Sequence, residues 1–400
     1  MLCRVYTSLT LTAFTDLRNM AEPRMTETKH SSSPPPPATE DFAFACLRLL
    51  RSRRVGPATF HRLMREHGSP QAALAALPAI AKAAGASDYA PCPEGVITAE
   101  MNAARAAGAT LMIAGHAGYP TALADLSDAP AALWGMGDLT LLSRPMIALV
   151  GARNASSLGT RMAKKLAADL GDAGFVVVSG LARGIDTAAH IGALKTGTIA
   201  VQAGGVDTIY PVENTSLAQD IARSGLRISE MGMGVQPQAR HFPARNRIIS
   251  GLARGVVVIE AAAKSGSLIT ARNALDQSRD VLAVPGHPFD ARTYGCNMLI
   301  RDGATLVRGA DDVIEALGAA TQIQTPELPL EMPPRPARTL RETAALHDQI
   351  LHRLSPSPVA EDQLIRDLGV DSTTVAPVIV ILELDGKITR QSGGLIALSQ

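Results

Sequence analysis

Seven short apolar runs, rich in valine and isoleucine, dominate the middle of this chain. They are MIALVGA (146–152), FVVVSG (175–180), TIAVQAG (198–204), LRISEM (226–231), GVVVIEA (255–261), DVLAVPG (280–286) and ATLVRG (304–309). Helical segments such as 157–173 and 214–224 lie between them. Unbroken β-branched runs read as strands buried on both faces. Strand–helix alternation then implies an α/β fold, a parallel sheet covered by helices on both sides. In such sheets ligands bind beyond the carboxyl ends of the strands. The informative turns fall there: GARNASSLG, SGLARGID, AGGVDTIYP, KSGS and PGHP.

Charge is concentrated between Arg240 and Arg272. This stretch holds Arg240, Arg245, Arg247, Arg254, Lys264 and Arg272 against one acid, Glu260, in a chain of net charge +1. The strand GVVVIEA runs directly into Lys264-Ser265-Gly266-Ser267 and then a helix. That joint offers backbone N–H groups, hydroxyls and an ammonium at one helix N-terminus, an anion site and most naturally a phosphate site. A bare Ser-Gly-Ser turn is equally explained as turn and cap. Arg245, Asn246, Arg247 and the aromatic Phe242 just upstream shift the balance, since arginine forks and an aromatic face suit a nucleic-acid backbone and its bases.

Size and composition set the bounds. Four hundred residues allow several domains and a sizeable core. The near-neutral charge excludes a globally basic nucleic-acid coat but not a local patch. Cys3, Cys46, Cys92 and Cys296 form no CxxC pair and no metal-ligand spacing, which points to a reducing cytosol rather than a disulfide scaffold or zinc site. No apolar run reaches the roughly 18 residues of a membrane span. The opening MLCRVYTSLTLTAF is short and Thr-rich for a signal peptide, and Met20 and Met25 are alternative starts.

The flanks differ from the middle. Residues 1–40 end in HSSSPPPPATE and read as a disordered tail. Residues 41–107 are Ala- and Leu-rich with helical periodicity, and Val55-Gly56-Pro57 between two helical runs suggests a helix-hairpin-helix or SAM-like unit. Its basic residues fit either DNA phosphates or a solvated face. The middle domain spans 108–320, a Pro-rich linker 321–340, and the last segment, 341–400, has the helix–helix–helix–hairpin order of a winged helix.

Several motifs limit the chemistry. No GxxxxGK[ST] is present, and GARNASSLG lacks GxGxxG spacing, so neither a P-loop nor a dinucleotide cofactor is expected. Ser156 or Ser157 caps the helix of 157–173. Arg153, in the loop before it, reads equally as a phosphate contact or a surface arginine. Asp186 and His190 lie four apart on one helical face and read as structural, with an acid–base pair as the competing view. Asp207, Tyr210 and Asn214 look like turn and cap chemistry. Glu260 is read as a partner that orients Arg245 or Arg247, and Cys296 as a small buried hydrophobe.

Together these motifs resemble the DNA-processing protein A family, DprA or Smf. VGARNASSLG, SGLARGIDTAAHIGAL, GGVDTIYPVENTSL, ISEMGMGVQP, HFPARNRIISGLARGVVVIEAAAKSGSLITA, DVLAVPG and GCNMLIRDGA cover nearly all of 145–310 in family order. The resemblance implies a Rossmann-like core flanked by a SAM-like domain and a winged helix. It also implies a cytoplasmic, non-enzymatic, dimeric protein that binds single-stranded DNA during natural transformation, protects it and loads RecA recombinase. Carried over by motif, the DNA contacts are Arg153; Phe242, Arg245 and Asn246; and Lys264, Ser265, Gly266 and Ser267. Arg247 joins them as a donor of the same segment. Ala152 stands where many members have Ser, which removes one hydroxyl.

The competing class is a nucleotide-processing enzyme. Lysine-decarboxylase-like phosphoribohydrolases share this type of fold, and their motif glutamate would fall at or beside Thr270. No acid lies between Lys264 and Asp276, and an N-glycosidase needs a carboxylate at its oxocarbenium-like centre. Only Glu260 could substitute.

Overall fold

The computed structural model describes residues 38–84, 88–320, 340–355, 358–370, 375, 378–379, 381–383, 385–391 and 395–398. Residues 1–37 of the expected 1–40 tail and nearly all of the expected Pro-rich linker lie outside the described residues, and Glu40 already belongs to the first helix. The chain forms two compact units, residues 1–322 and 323–400.

The first unit opens with four helices, α1 (Glu40–Arg51), α2 (Pro57–His67), α3 (Pro70–Ala83) and α4 (Glu94–Ala107). Pro57 and Pro70 sit in the first turns of α2 and α3, where a missing N–H costs nothing, and the left-handed Gly68 and Gly108 end α2 and α4. Next come β1 (Thr110–Ile113), α5 (Thr121–Ala124) and β2 (Ala132–Gly137). Cys46, Leu47, Phe60, Ile97 and Ala104 of the helices share a core with Ile113, Ala132 and Trp134. The Trp134 indole donates to Glu100 at 2.8 Å, and Glu100 also accepts two bonds from Arg51.

Strands and helices then alternate: β3 (Met146–Gly151), α6 (Ser157–Asp172), β4 (Val176–Ser179), α7 (Ile185–Ala193), β5 (Thr198–Val201), α8 (Thr215–Ser224), β6 (Leu226–Ser229), α9 (His241–Leu252), β7 (Gly255–Ile259), α10 (Ser267–Asp276), β8 (Asp280–Ala283), α11 (Tyr294–Arg301), β9 (Thr305–Leu306) and α12 (Ala310–Leu317). They form one sheet of order β1-β2-β6-β5-β4-β3-β7-β8-β9. β3 to β9 are parallel to one another, while β1–β2 and β2–β6 pair antiparallel. The seven strands read from the sequence are all present. The antiparallel edge of β1 and β2 is an addition to the expected parallel sheet.

Alternation along each strand divides the core into two layers. Ile147, Leu149, Val257 and Ile259 pack under α6 and α7, against Leu166, Leu170 and Ile185. Ala148, Val150, Val256 and Val258 pack on the other face against Ile248, Ile249, Ala271 and Cys296 of α9, α10 and α11. Cys296 is thus the buried hydrophobe expected of it, and burial pushes its thiol up to about 11. No described helix is long and apolar enough to cross a membrane.

The second unit is a winged helix: α13 (Leu340–Arg353), β10 (Val359–Ala360), α14 (Glu361–Leu368), β11 (Ile388–Gln391) and β12 (Leu395–Leu398), with sheet order β10-β12-β11. Ile350, Leu364, Ile379, Leu382 and Ile396 meet in its core.

Candidate functional site

Strand order reverses beside β3. The chain moves outward from β3 through β4, β5 and β6, then returns to lay β7 against the free side of β3. Loops leaving β3 and β7 therefore diverge, which opens a crevice at their carboxyl ends. A cavity of ≈ 780 Å³ occupies it, lined by four cations, Arg153, Arg245, Lys264 and Arg292, and one acid, Asp186.

Arg153 and Lys264 are both exposed and come from different loops. Arg153, on the loop after β3, is exposed and lies 5.2 Å above the Phe242 ring. Phe242 in turn meets Tyr210 with ring centroids 5.7 Å apart. Lys264, after β7, is exposed and has no ion-pair partner among the described residues. The Ser265 and Ser267 hydroxyls lie 2.7 Å apart at the start of α10, whose N-cap is Gly266. Nothing lies within 4 Å of where a Gly266 Cβ would stand, so the backbone of that turn is open to a ligand.

Arg245 is a different kind of cation. It is buried, and its guanidinium donates to the Gly180 carbonyl, to Val201 O at 2.8 Å and to Asn246 Oδ1 at 3.1 Å. Those carbonyls end β4 and β5, so Arg245 clips two strand ends to α9. A Cβ at Gly180 would overlap its guanidinium. Burial lowers its pKa to about 10, partly offset by Asp186. Asn246 reaches Gly266 O at 3.4 Å, joining α9 to the serine turn.

Arg247 does not join this group. It donates to both carboxylate oxygens of Glu230 at 2.8 Å and lies 3.5 Å from Asp128. Two residues along a helix are turned about 200° apart, so Arg245 and Arg247 face opposite ways. Glu260 also departs from expectation. It orients neither arginine. Its carboxylate takes the Ser156 N–H at 2.8 Å and the Ser156 hydroxyl. It lines a second cavity of ≈ 800 Å³, between α6 and the loop after β8.

Asp186 and His190 are structural, as read. Asp186 accepts from Gly180 N at 3.1 Å and Ala182 N at 3.3 Å, and burial raises its pKa. Leu181 N–H donates to His190 Nε2 at 3.3 Å, which leaves Nδ1 to bond Thr198 Oγ1 at 2.7 Å. Asn214 stands at the N-cap position of α8 but its side chain does not cap it, donating instead to Leu181 O at 2.9 Å, and Asp207 accepts from Gly234 N at 2.9 Å across two loops, so neither performs the turn and cap role expected of it. Ser156 is the cap of α6, accepting from Gly159 N at 2.9 Å. Arg292 was not anticipated. It comes from the loop after β8, whose end points at the same crevice, and pairs with Asp290 at 3.0 Å. No cluster of potential metal ligands occurs among the described residues.

Comparison with known proteins gives a consistent picture. A family model for DNA recombination-mediator protein A matches residues 110–318, one for a DprA-like N-terminal HHH domain matches 40–103, and one for a DprA winged helix domain matches 333–394. The DNA processing protein DprA of Streptococcus pneumoniae is 48% identical over 198 residues, 49% of this chain and 70% of its own. Protein Smf of Escherichia coli is 36% identical over 285 residues, 70% of this chain and 75% of its own. The X-ray structure of DprA from Streptococcus pneumoniae aligns with a TM-score of 0.60 at 33% identity, over 70% of this chain and 99% of that one.

Proposed function

Because the chain belongs to the DNA recombination-mediator protein A family, we propose that its switch-point pocket grips single-stranded DNA through the phosphates, with little sequence preference and no nucleotide cofactor. One observation carries this reading: four cations converge on an open cavity whose single acid, Asp186, already accepts two backbone N–H groups. Arg153 and Lys264 serve as phosphate contacts from two loops of the pocket, the Ser265–Ser267 turn supplies hydroxyls and backbone donors, and Phe242 offers a face to a base. Arg245 adds fixed positive charge from below and holds the floor in shape. Asn246 sets the distance between α9 and the serine turn. Arg247 has no part in the grip.

The same geometry argues against bond cleavage in this pocket. Thr270 lies at or beside the position where a phosphoribohydrolase would carry its glutamate, and Glu260 is turned toward α6. Neither a free carboxylate nor an activated nucleophile faces the cavity among the described residues. In the cell the protein would act in the cytoplasm as a homodimer that covers incoming DNA during natural transformation and hands it to RecA recombinase. Two pockets on one strand would raise avidity through effective concentration.

Anisotropy of a labelled oligo-dT tests the core of the proposal. Arg153→Ala and Lys264→Ala should each weaken binding roughly tenfold or more, the scale of one charged hydrogen bond. Each should also reduce the slope of log affinity against log salt by about 0.7, the value for one single-strand phosphate contact. Unchanged affinity in both variants refutes the pocket. Light scattering tests the dimer, and strand exchange with the cognate RecA and single-strand-binding protein tests loading.

A further inference from the structure

Glu260 follows β7 in a backbone conformation that few side-chain-bearing residues adopt. Its φ is +54°, in the left-handed region. Such outliers persist where the surroundings over-determine them, and they gather at functional sites. Here the twist sends the carboxylate sideways into the first turn of α6. One oxygen receives the Ser156 N–H at 2.8 Å and the other the Ser156 hydroxyl. The carboxyl group fills the space a Cβ on Gly159 would occupy, so α6 admits it only because residue 159 is glycine. A carboxylate at a helix N-terminus also meets the positive end of the helix dipole.

Ser156 closes the loop 152–156 that carries Arg153. The other end of that loop is held by the residue before Glu260: Gly151 packs so tightly on the Ile259 carbonyl that any Cβ would overlap it. The last residue of β7 and the one after it therefore hold the two ends of the loop. Arg153 itself has no ion pair among the described residues and rests only on the Phe242 ring. Its place in the pocket is set by its loop.

We propose that Glu260 is a positioning residue for DNA binding, a latch that holds the Arg153 loop where its guanidinium meets phosphate. The inference rests on the reading of the pocket as a DNA site. Glu260 touches no DNA, so its effect should pass entirely through Arg153.

The full chain carries the test, with anisotropy of a labelled 20-nucleotide oligo-dT across salt, and thermal midpoints measured in parallel. Glu260→Gln keeps one accepting oxygen, sets an amide N–H₂ against the other Ser156 donor and removes the charge, and it should weaken binding about five- to tenfold, with the same reduction in salt slope as Arg153→Ala. The double variant should bind no worse than Arg153→Ala within about twofold, because the contact is already gone. Should Glu260→Gln fail to fold, Ser156→Ala removes the hydroxyl half of the latch from the loop side while the residue 156 N–H bond stays, and it should weaken binding about threefold with a smaller reduction in salt slope. Wild-type binding by Glu260→Gln or by a folded Ser156→Ala, while Arg153→Ala is weakened, overturns the latch and leaves the pocket standing. Losses that multiply in the double variant also overturn it. If Arg153→Ala binds normally, the latch falls together with the Arg153 contact it serves, which separates the two failures.

Discussion

Arg247 shows how little a side chain's charge says about its use. Its partner Glu230 is largely buried, and burial pushes that carboxyl's pKa upward while Arg247 opposes the rise. Removing one member of such a pair strands the other charge away from water, which costs about 3 kcal/mol or more. Arg247→Ala should therefore lower unfolding stability by about 3 kcal/mol yet leave single-stranded-DNA affinity within about twofold, as measured by urea titration beside oligo-dT anisotropy. A large loss of affinity in folded protein would return Arg247 to the pocket. The sequence held the information to separate Arg245 from Arg247, since their spacing on a helix sets them on opposite faces. It held no sign of the Glu260–Ser156 bond, which joins residues 104 positions apart through a left-handed turn at a non-glycine residue. Lys264, Ser265, Gly266 and Ser267 were legible because strand, turn and helix start are contiguous there.

Among the elements, α7 carries a buried titratable pair beside the pocket floor. The Leu181 N–H fixes His190 as the neutral form protonated at Nδ1, and a second proton would set two donors face to face. Burial first, and Arg245 second, depress its pKa from the ordinary 6.5 to about 3. The unfolded chain takes up that proton as pH falls below 6.5 and the folded chain does not. His190 thus contributes stability that is present above the ordinary histidine pKa and lost as pH falls toward 3, at up to roughly 1.4 kcal/mol per pH unit. Asp186 acts oppositely: its raised pKa favours the folded state at low pH, an advantage lost as pH rises above the ordinary carboxyl value. Urea midpoints between pH 5 and 7 should fall with acidification in the wild type and fall less steeply in His190→Gln. Equal slopes would show that His190 is not buried neutral. Element identity was well marked in the parallel block, where β-branched runs are unbroken. β1 and β2 are not marked in the same way, because β1, TLMI, is buried over only half its length and β2, ALWGMG, is interrupted by glycine and carries no β-branched residue. They become strands by covering the edge of β6 and the faces of the N-terminal helices, a tertiary cause that local pattern does not display.

For the whole molecule, the charge of the winged helix sets its role apart from that of the pocket. Residues 341–400 hold five Lys and Arg against eight Asp and Glu, a net of −3, and the segment 371–385, partly outside the described residues, has no Lys or Arg. Phosphate affinity requires cations. A chain ending at residue 320 should bind oligo-dT within about twofold of the full chain, with the same salt slope, because the winged helix is expected to contact protein instead of DNA. A tenfold loss on truncation would contradict this. The return of the chain from β6 to β7 bears also on how the molecule is made. During synthesis β3, β4, β5 and β6 leave the ribosome in order, but the strand that completes the other side of β3 follows about a hundred residues after it. Until Gly255–Ile259 is inserted, β3 presents an open edge, and Arg153 stands on a loop with no opposing wall. Non-local closure of this kind comes late. A copy that stops short of Gly255 should therefore lack one wall of the pocket, and the whole cavity exists only after nearly the entire sheet has been committed.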